Sequence, residues 1–250
     1  MARIRVYIVR HGETAENRNG ILQGHLDTEL NDEGYRQAEL VADALKDVSF
    51  KVAFSSDLKR AKMTAERILK NKPEVRLQTS EALRERFMGV FQGTKITKDT
   101  KVALSQDKTI ESNQHLRERG VNWWKQTIIP MVSEADDSDT ISVLMVSHGG
   151  FISSLIQELM EEGYATSDRY ALPLGKCLNT AIAILELGGT DGTASLVNYG
   201  DISHLLNAKT QAKGVVQENV DEVEVDTSPS GSDSKGVVQT WLDSSSHDAR

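Results

Sequence analysis

Apolar positions along this chain recur with two different periods. Ile4–Val9 reads Ile-Arg-Val-Tyr-Ile-Val, β-branched and close to alternating, and predicts a buried strand. Residues 51–55 (Lys-Val-Ala-Phe-Ser) and 75–77, after Pro73, predict two short strands, and Ile141–Val146 is the most hydrophobic strand of all. Between these runs the apolar residues return every three to four positions. Ala38, Val41, Ala42 and Leu45 form one such stripe behind Asn31, a predicted N-cap followed by acidic residues, so a helix opens there. Further helices are predicted at about 58–70, over 113–134 with a bend at Pro130, and over 151–160. Residues 178–187 and 194–199 flank the glycine-rich turn 188–192, a hairpin signal. Residues 93–112 have no clear period and read as a loop or short lid carrying Lys95, Lys98, Lys101 and Lys108. Strands alternating with helices predict an α/β fold, a three-layer α/β/α sandwich around a mainly parallel sheet.

The pattern stops near Asn207. Residues 207–250 hold 4 basic and 8 acidic side chains and a Ser-rich run, too polar to offset the entropy of ordering. The expected organisation is therefore a catalytic domain over 1–206 and a disordered acidic tail over 207–250. The tail's Trp241-Leu242 pair reads as solvated, and binding of an unknown protein partner there is left open.

Charge and composition narrow the class. A net charge of -8 offers no basic surface for nucleic acid or anionic lipid. The single cysteine, Cys177, excludes an intrachain disulfide and reads as a small core residue. No apolar run approaches the roughly 20 residues that span a membrane. The first strand starts too near Met1 for a signal or transit peptide, so a cytoplasmic location is expected, with the nucleus also open.

Candidate chemistry sits where predicted strands end, the place where open α/β sheets bind ligands. Val9-Arg10-His11-Gly12 follows the first strand and Ser147-His148-Gly149-Gly150 follows the hydrophobic one. Arg60, in Ser55–Ala65 (SSDLKRAKMTA), falls at the start of a helix behind a strand, and Glu85 lies in a loop, Leu83–Gly93 (LRERFMGVFQG). Arginine suits phosphate because its fork stays charged and bidentate. A neutral imidazole is a competent nucleophile toward phosphorus, provided a backbone carbonyl fixes its tautomer. Arg10 and Arg60 are thus the candidate clamps, His11 the nucleophile, His148 a donor to the transition state and Glu85 the general acid and base. Glu85 needs a raised pKa, which repulsion from bound phosphate would supply. The Gly149 end of the following helix is a candidate anion ligand. The competing structural readings pair Arg60 with Asp57 or Glu66, and Glu85 with Arg84 or Arg86. No carboxylate or histidine cluster has metal-ligand spacing, and no phosphate loop of the G-x-x-x-x-G-K type occurs, so no metal and no cofactor is expected.

Taken together, and in this order, the four segments resemble the histidine phosphatase superfamily of phosphoglycerate mutase-like fold over about residues 3–200. Within it the likeness is greatest to TIGAR-type fructose-2,6-bisphosphatases, through Ala53–Ala65, Leu83–Gly93 and Arg119–Trp124. The resemblance implies that Asn17, Gln23 and Gly24 line the substrate phosphates. It also implies a phosphohistidine-forming phosphomonoesterase acting on a small phosphorylated molecule such as fructose 2,6-bisphosphate. Departures occur at Glu29, Phe87, Met88 and the stretch Thr109-Ile110-Glu111-Ser112, none in the Arg-His-Arg-His set. Gln92 is shared with the mutases, but residues 93–110 contain no arginine, whereas mutases carry an arginine pair in a longer insert there. A shorter cap admits water and favours hydrolysis. The alternatives are a 2,3-bisphosphoglycerate-dependent mutase, a phosphoprotein phosphatase of the same fold, and a non-catalytic scaffold using the tail. His25, His115, His204 and His247 fit no part of the pattern and are expected at the surface.

Overall fold

The computed structural model describes residues 3–98, 100, 104, 107–134, 140–188 and 193–211. Seven strands form one sheet: β1 (Arg3–Arg10), β2 (Phe50–Ser56), β3 (Leu77–Ser80), β4 (Thr140–Ser147), β5 (Ala165–Thr166), β6 (Ile182–Gly188) and β7 (Ala194–Asp201). Their order is β3-β2-β4-β1-β6-β7-β5. The half from β3 to β1 is parallel, whereas β6 runs antiparallel to both β1 and β7 and the short β5 lies parallel to β7. The predicted hairpin is the β6–β7 pair.

Both faces of the central strands are covered, which explains why β1 and β4 read as nearly continuous apolar runs. Ile4, Val6 and Ile8 of β1 point with Val143 and Met145 of β4 into one cluster. That cluster includes Trp124 of α4 (Asn113–Thr127) and Phe151 and Leu155 of α6 (Gly149–Glu161). Tyr7, Val9, Leu144 and Val146 point the other way, against Val41 of α2 (Asp32–Ala44) and Ala61, Ala65 and Ile68 of α3 (Lys59–Ile68). The result is the three-layer α/β/α sandwich. Asn31 caps α2 as expected, its side-chain oxygen accepting from the Gly34 amide at 2.8 Å.

Several details differ from the sequence reading. The third strand begins at Leu77 instead of Val75, and α6 begins at Gly149 instead of Phe151. Pro130 does not bend one long helix. It lies in the first turn of a separate helix, α5 (Ile129–Glu134), where its missing N–H costs nothing. The short helix α1 (Ala15–Asn19), strand β5 and helix α7 (Ser203–Gln211) carry too few periodic residues to be seen in the sequence. Helix α7 runs across residue 206 to Gln211; the predicted tail beyond it, Lys101 and the turn 189–192 lie outside the described residues.

Register fixes the position of the site. Arg10, the last residue of β1, pairs with Ser147, the last of β4, so His11 and His148 both follow immediately at neighbouring strand ends. The His11 amide donates to the Ser147 carbonyl at 2.9 Å, which locks this junction. Past it, the chain at Gly12 runs so close to α2 that a Cβ on Gly12 would lie 2.5 Å from the Gly34 carbonyl oxygen, leaving room for glycine alone.

Candidate active site

His11 is 2% exposed. Its Nδ1 lies 2.7 Å from the Gly12 carbonyl oxygen. A carbonyl only accepts, so Nδ1 carries the proton and donates, and Nε2 keeps its lone pair. Arg60 Nε donates toward that Nε2 at 3.3 Å, consistent with the same tautomer. Burial, then the Arg60 and Arg10 guanidinia, hold the His11 pKa well below the usual imidazole value. A buried, neutral imidazole whose Nε2 is unprotonated is the form a phosphorus nucleophile requires.

The His148 ring sits 5.1 Å from that of His11, centroid to centroid, at 63°. Burial, then Arg60 and His11, keep it neutral as well. Both His148 ring nitrogens are buried without a hydrogen-bond partner among the described residues, as is Nδ2 of Asn17. Leaving a buried polar group unsatisfied costs about 1–3 kcal/mol, so such groups mark where a polar ligand is received. Asn17 is held for this by the α1 capping box, its Oδ1 accepting from the Thr14 amide at 3.0 Å.

Both arginines are anchored by backbone carbonyls. Arg10 Nη1 donates to Cys177 O at 2.7 Å. Arg60 donates through Nη1 to Leu26 O at 2.6 Å and through Nη2 to Gly24 O at 2.8 Å. Of the carboxylates considered as structural partners of Arg60, Asp57 pairs with Arg84, and Glu66 lies 3.8 Å from Lys62. Thr64 ties the helix bearing Arg60 to the nucleophile loop, accepting from the Gly12 amide at 3.0 Å and donating to Arg60 O at 2.7 Å.

Glu85 lies at the N-terminus of α6. Its Oε1 accepts from the Arg86 amide at 2.8 Å and its Oε2 from the Gly150 amide at 3.0 Å. Neither Arg84 nor Arg86 forms a salt bridge with it; Arg86 Nε donates instead to Glu111 O. Burial pushes the Glu85 carboxyl up against the opposing pull of these two amides, Arg10 and Arg60. The rise expected from a bound phosphate is thus already present from desolvation alone. Gly149 is buried next to His148, but the adjacent Gly150 amide is engaged by Glu85. Gln23 Oε1 accepts from the Thr14 and Thr28 hydroxyls, and Gly24 O holds Arg60.

Sequence reasoning missed Asn179 and Thr180. Asn179 Nδ2 and the Thr180 amide donate to the His11 carbonyl at 2.9 and 3.4 Å, the latter amide also to Arg10 O at 3.1 Å. Thr180 adopts φ 56°, a left-handed conformation unusual for a β-branched residue and held here by its partners. The one available signal was a polar Asn-Thr pair at the foot of an apolar strand. Two histidines expected at the surface are instead structural. His25 Nε2 donates to Glu85 O at 2.8 Å, and His204 Nε2 meets the Thr180 hydroxyl at 3.1 Å. His115 is exposed as expected, and His247 lies outside the described residues. Among the described residues no group of three or more His, Cys, Asp or Glu side chains lies together as a metal site, and no helix is long and apolar enough to cross a membrane.

Three neutral histidines, His11 and His148 fully buried and His204 partly so, impose a pH dependence on stability. Burial lowers His204 to about 4, and His11 and His148 are also well depressed. The unfolded imidazoles take up protons below about pH 6.5 that the folded sites refuse, so their contribution is full above that pH and is lost as pH falls. The melting temperature is expected to drop between pH 7.5 and 5, less so with inorganic phosphate present. A flat profile over that range would contradict the neutral assignment.

Two histidines and Arg10 at parallel strand ends, with Arg60 from the first turn of α3 and a raised carboxyl beside them, define a phosphoryl-handling enzyme. The chain matches the family model of the histidine phosphatase superfamily (branch 1) over residues 6–200 and belongs to that superfamily. A probable phosphatase of Schizosaccharomyces pombe is 33% identical over 83% of this chain and 98% of its own. A broad-specificity phosphatase of Saccharomyces cerevisiae is 36% identical, covering 81% and 87%. The fructose-2,6-bisphosphatase TIGAR of Bos taurus is 29% identical, covering 79% and 72%. Among solved structures, a phosphoglycerate mutase from Bacillus anthracis superposes with a TM-score of 0.66 at 26% identity, covering 83% of this chain and 97% of that one.

Proposed function

We propose that this histidine phosphatase is a metal-independent phosphomonoesterase that works through phospho-His11 on small phosphorylated metabolites, sugar bisphosphates such as fructose 2,6-bisphosphate among them. The carrying observation is His11 itself: buried, neutral, its Nδ1 proton given to Gly12 O and its Nε2 lone pair beside Arg60. Phosphate enters between Arg10 and Arg60, and its oxygens satisfy His148 and Asn17 Nδ2. Nε2 attacks phosphorus as the ester P–O bond breaks, and protonated Glu85 gives its proton to the departing alkoxide. In the second step the Glu85 carboxylate takes a proton from water, the resulting hydroxide attacks the phosphoryl group, and His11 leaves neutral. A nucleophile that ionises with difficulty and an acid that ionises late are both kept ready by the same burial.

Hydrolysis is favoured over mutase transfer because residues 93–110 supply no arginine to hold a second phosphate and seal the site. The similarity to a broad-specificity phosphatase supports tolerance among substrates. Small soluble substrates and a single buried cysteine fit a reducing, cytoplasmic setting. The test is a panel of phosphorylated sugars, phosphoglycerates, phosphoserine and a phosphopeptide, assayed in EDTA for free phosphate and for isomerised product. Phosphate release from small phosphates in EDTA is expected. Isomerisation without release would make it a mutase, release from the phosphopeptide alone a protein phosphatase, and activity restored only by Mg²⁺ or Zn²⁺ would overturn the mechanism.

A further inference from the structure

Two sequence stretches, Glu111-Ser112 and Arg119–Trp124, take no part in the chemistry above, yet both converge on the loop that carries Glu85. Arg119 grips Glu111 as a fork, Nε to Oε1 at 2.7 Å and Nη2 to Oε2 at 3.0 Å. The same guanidinium donates through Nη1 to Ala82 O at 2.8 Å and through Nη2 to Glu85 O at 3.0 Å. Glu111 holds the other side of the loop. Its Oε2 accepts from the Phe87 amide at 3.1 Å, its own amide donates to Phe87 O at 2.9 Å, and its carbonyl accepts Arg86 Nε at 2.6 Å. The backbone of Glu85 and Phe87 and the side chain of Arg86 are thus tied to one ion pair whose side chains are only 15% and 7% exposed. Burial, the largest single influence, works against ionising Glu111, but Arg119, the Phe87 amide and His115 together outweigh it and hold the carboxyl below its usual value.

The pair also reaches the other support of Glu85. The Arg119 guanidinium lies 5.1 Å from the centre of the Phe151 ring. Phe151 belongs to the first turn of α6, where the Gly150 amide holds Glu85 Oε2. A Cβ on Gly120 would come within 3.3 Å of the same ring, so glycine lets α4 close on α6 and bring Arg119 under it. This accounts for the Arg119-Gly120 pairing in the sequence. One guanidinium therefore fixes the main chain of Glu85 and braces the helix turn that seats its carboxyl.

We infer that Glu111 and Arg119 form a positioning clamp that aims the Glu85 carboxyl at the leaving oxygen, so that proton delivery to the leaving group depends on a pair that touches no substrate. The inference rests on the reading of Glu85 as general acid, and the experiment separates the two. Arg119→Lys, Glu111→Gln and Glu85→Gln are compared on glycerol 2-phosphate, whose alkoxide needs a proton, and p-nitrophenyl phosphate, whose leaving group does not. For both clamp variants, kcat/KM on glycerol 2-phosphate is expected to fall about 10- to 100-fold, the scale set by misplacing a general acid. On the aryl phosphate kcat/KM should change by no more than about threefold, because it reports only steps up to phosphohistidine formation, before Glu85 acts as base, and that leaving group needs no proton. The aryl rate also reports that the variant is folded and forms its phosphohistidine. Adding Arg119→Lys to Glu85→Gln should produce no further loss on the alkyl substrate. Equal losses on both substrates, no loss on either, or an additive loss in the double variant would overturn the clamp. If Glu85→Gln alone lowers kcat/KM equally on both substrates, the general-acid reading fails, and the clamp falls with it.

Discussion

His11→Ala is expected to abolish turnover, lowering kcat on the order of 10⁴- to 10⁶-fold, as removal of a nucleophile acting in concert with its neighbours does. Without Nε2, water would have to displace the alkoxide directly. Rapid-quench labelling with a ³²P-labelled substrate should give the wild-type protein an acid-labile, alkali-stable adduct, the signature of a phosphoramidate. The variant should still bind substrate, because the proposed phosphate ligands Arg10, Arg60, His148 and Asn17 remain in place. Equal labelling of wild type and variant would remove His11 from the nucleophile's role. An adduct stable in acid would replace phosphohistidine with an ester.

Much of this site was legible because its parts are local. An Arg-His pair at the end of a β-branched run and a Ser-His-Gly-Gly at the end of the most hydrophobic strand need only the strands to be adjacent, and the parallel register of β1 and β4 makes them so. Glu85 was legible as a carboxyl in a loop, but the origin of its raised pKa was not. Burial raises it, and the Gly150 amide that opposes the rise belongs to helix α6, more than 60 residues further along the chain. Thr180 was illegible for a different reason. Its left-handed backbone contradicts the local preference of a β-branched residue and is imposed by bonds to Arg10 and His11 at the opposite end of the chain. His25 and His204 were misplaced on the same account: a lone histidine in a polar stretch looks solvated until a carbonyl or hydroxyl from a distant segment closes on it.

Arg60 is the residue through which rate and pH dependence should separate. Its fork spans Gly24 O, Leu26 O and His11 Nε2, and after burial its charge is the next cause of the depressed pKa of both histidines. Arg60→Ala removes both effects. Losing one preorganised donor to the transferring phosphoryl group costs about 10²- to 10³-fold in kcat. Losing the charge lets His11 protonate more easily, so the acid limb of kcat/KM moves up toward the imidazole value of 6.5. It should stop short of it, because burial, the larger cause, remains. Arg60→Lys keeps the charge but is a compact ammonium that cannot reproduce the planar fork. It should lose most of the rate while its acid limb stays near that of the wild type. Measuring all three proteins on one substrate cancels the substrate's own ionisation from the comparison. A wild-type rate for Arg60→Lys would show that a point charge suffices at this position, and an unshifted limb for Arg60→Ala would show that burial alone keeps His11 neutral.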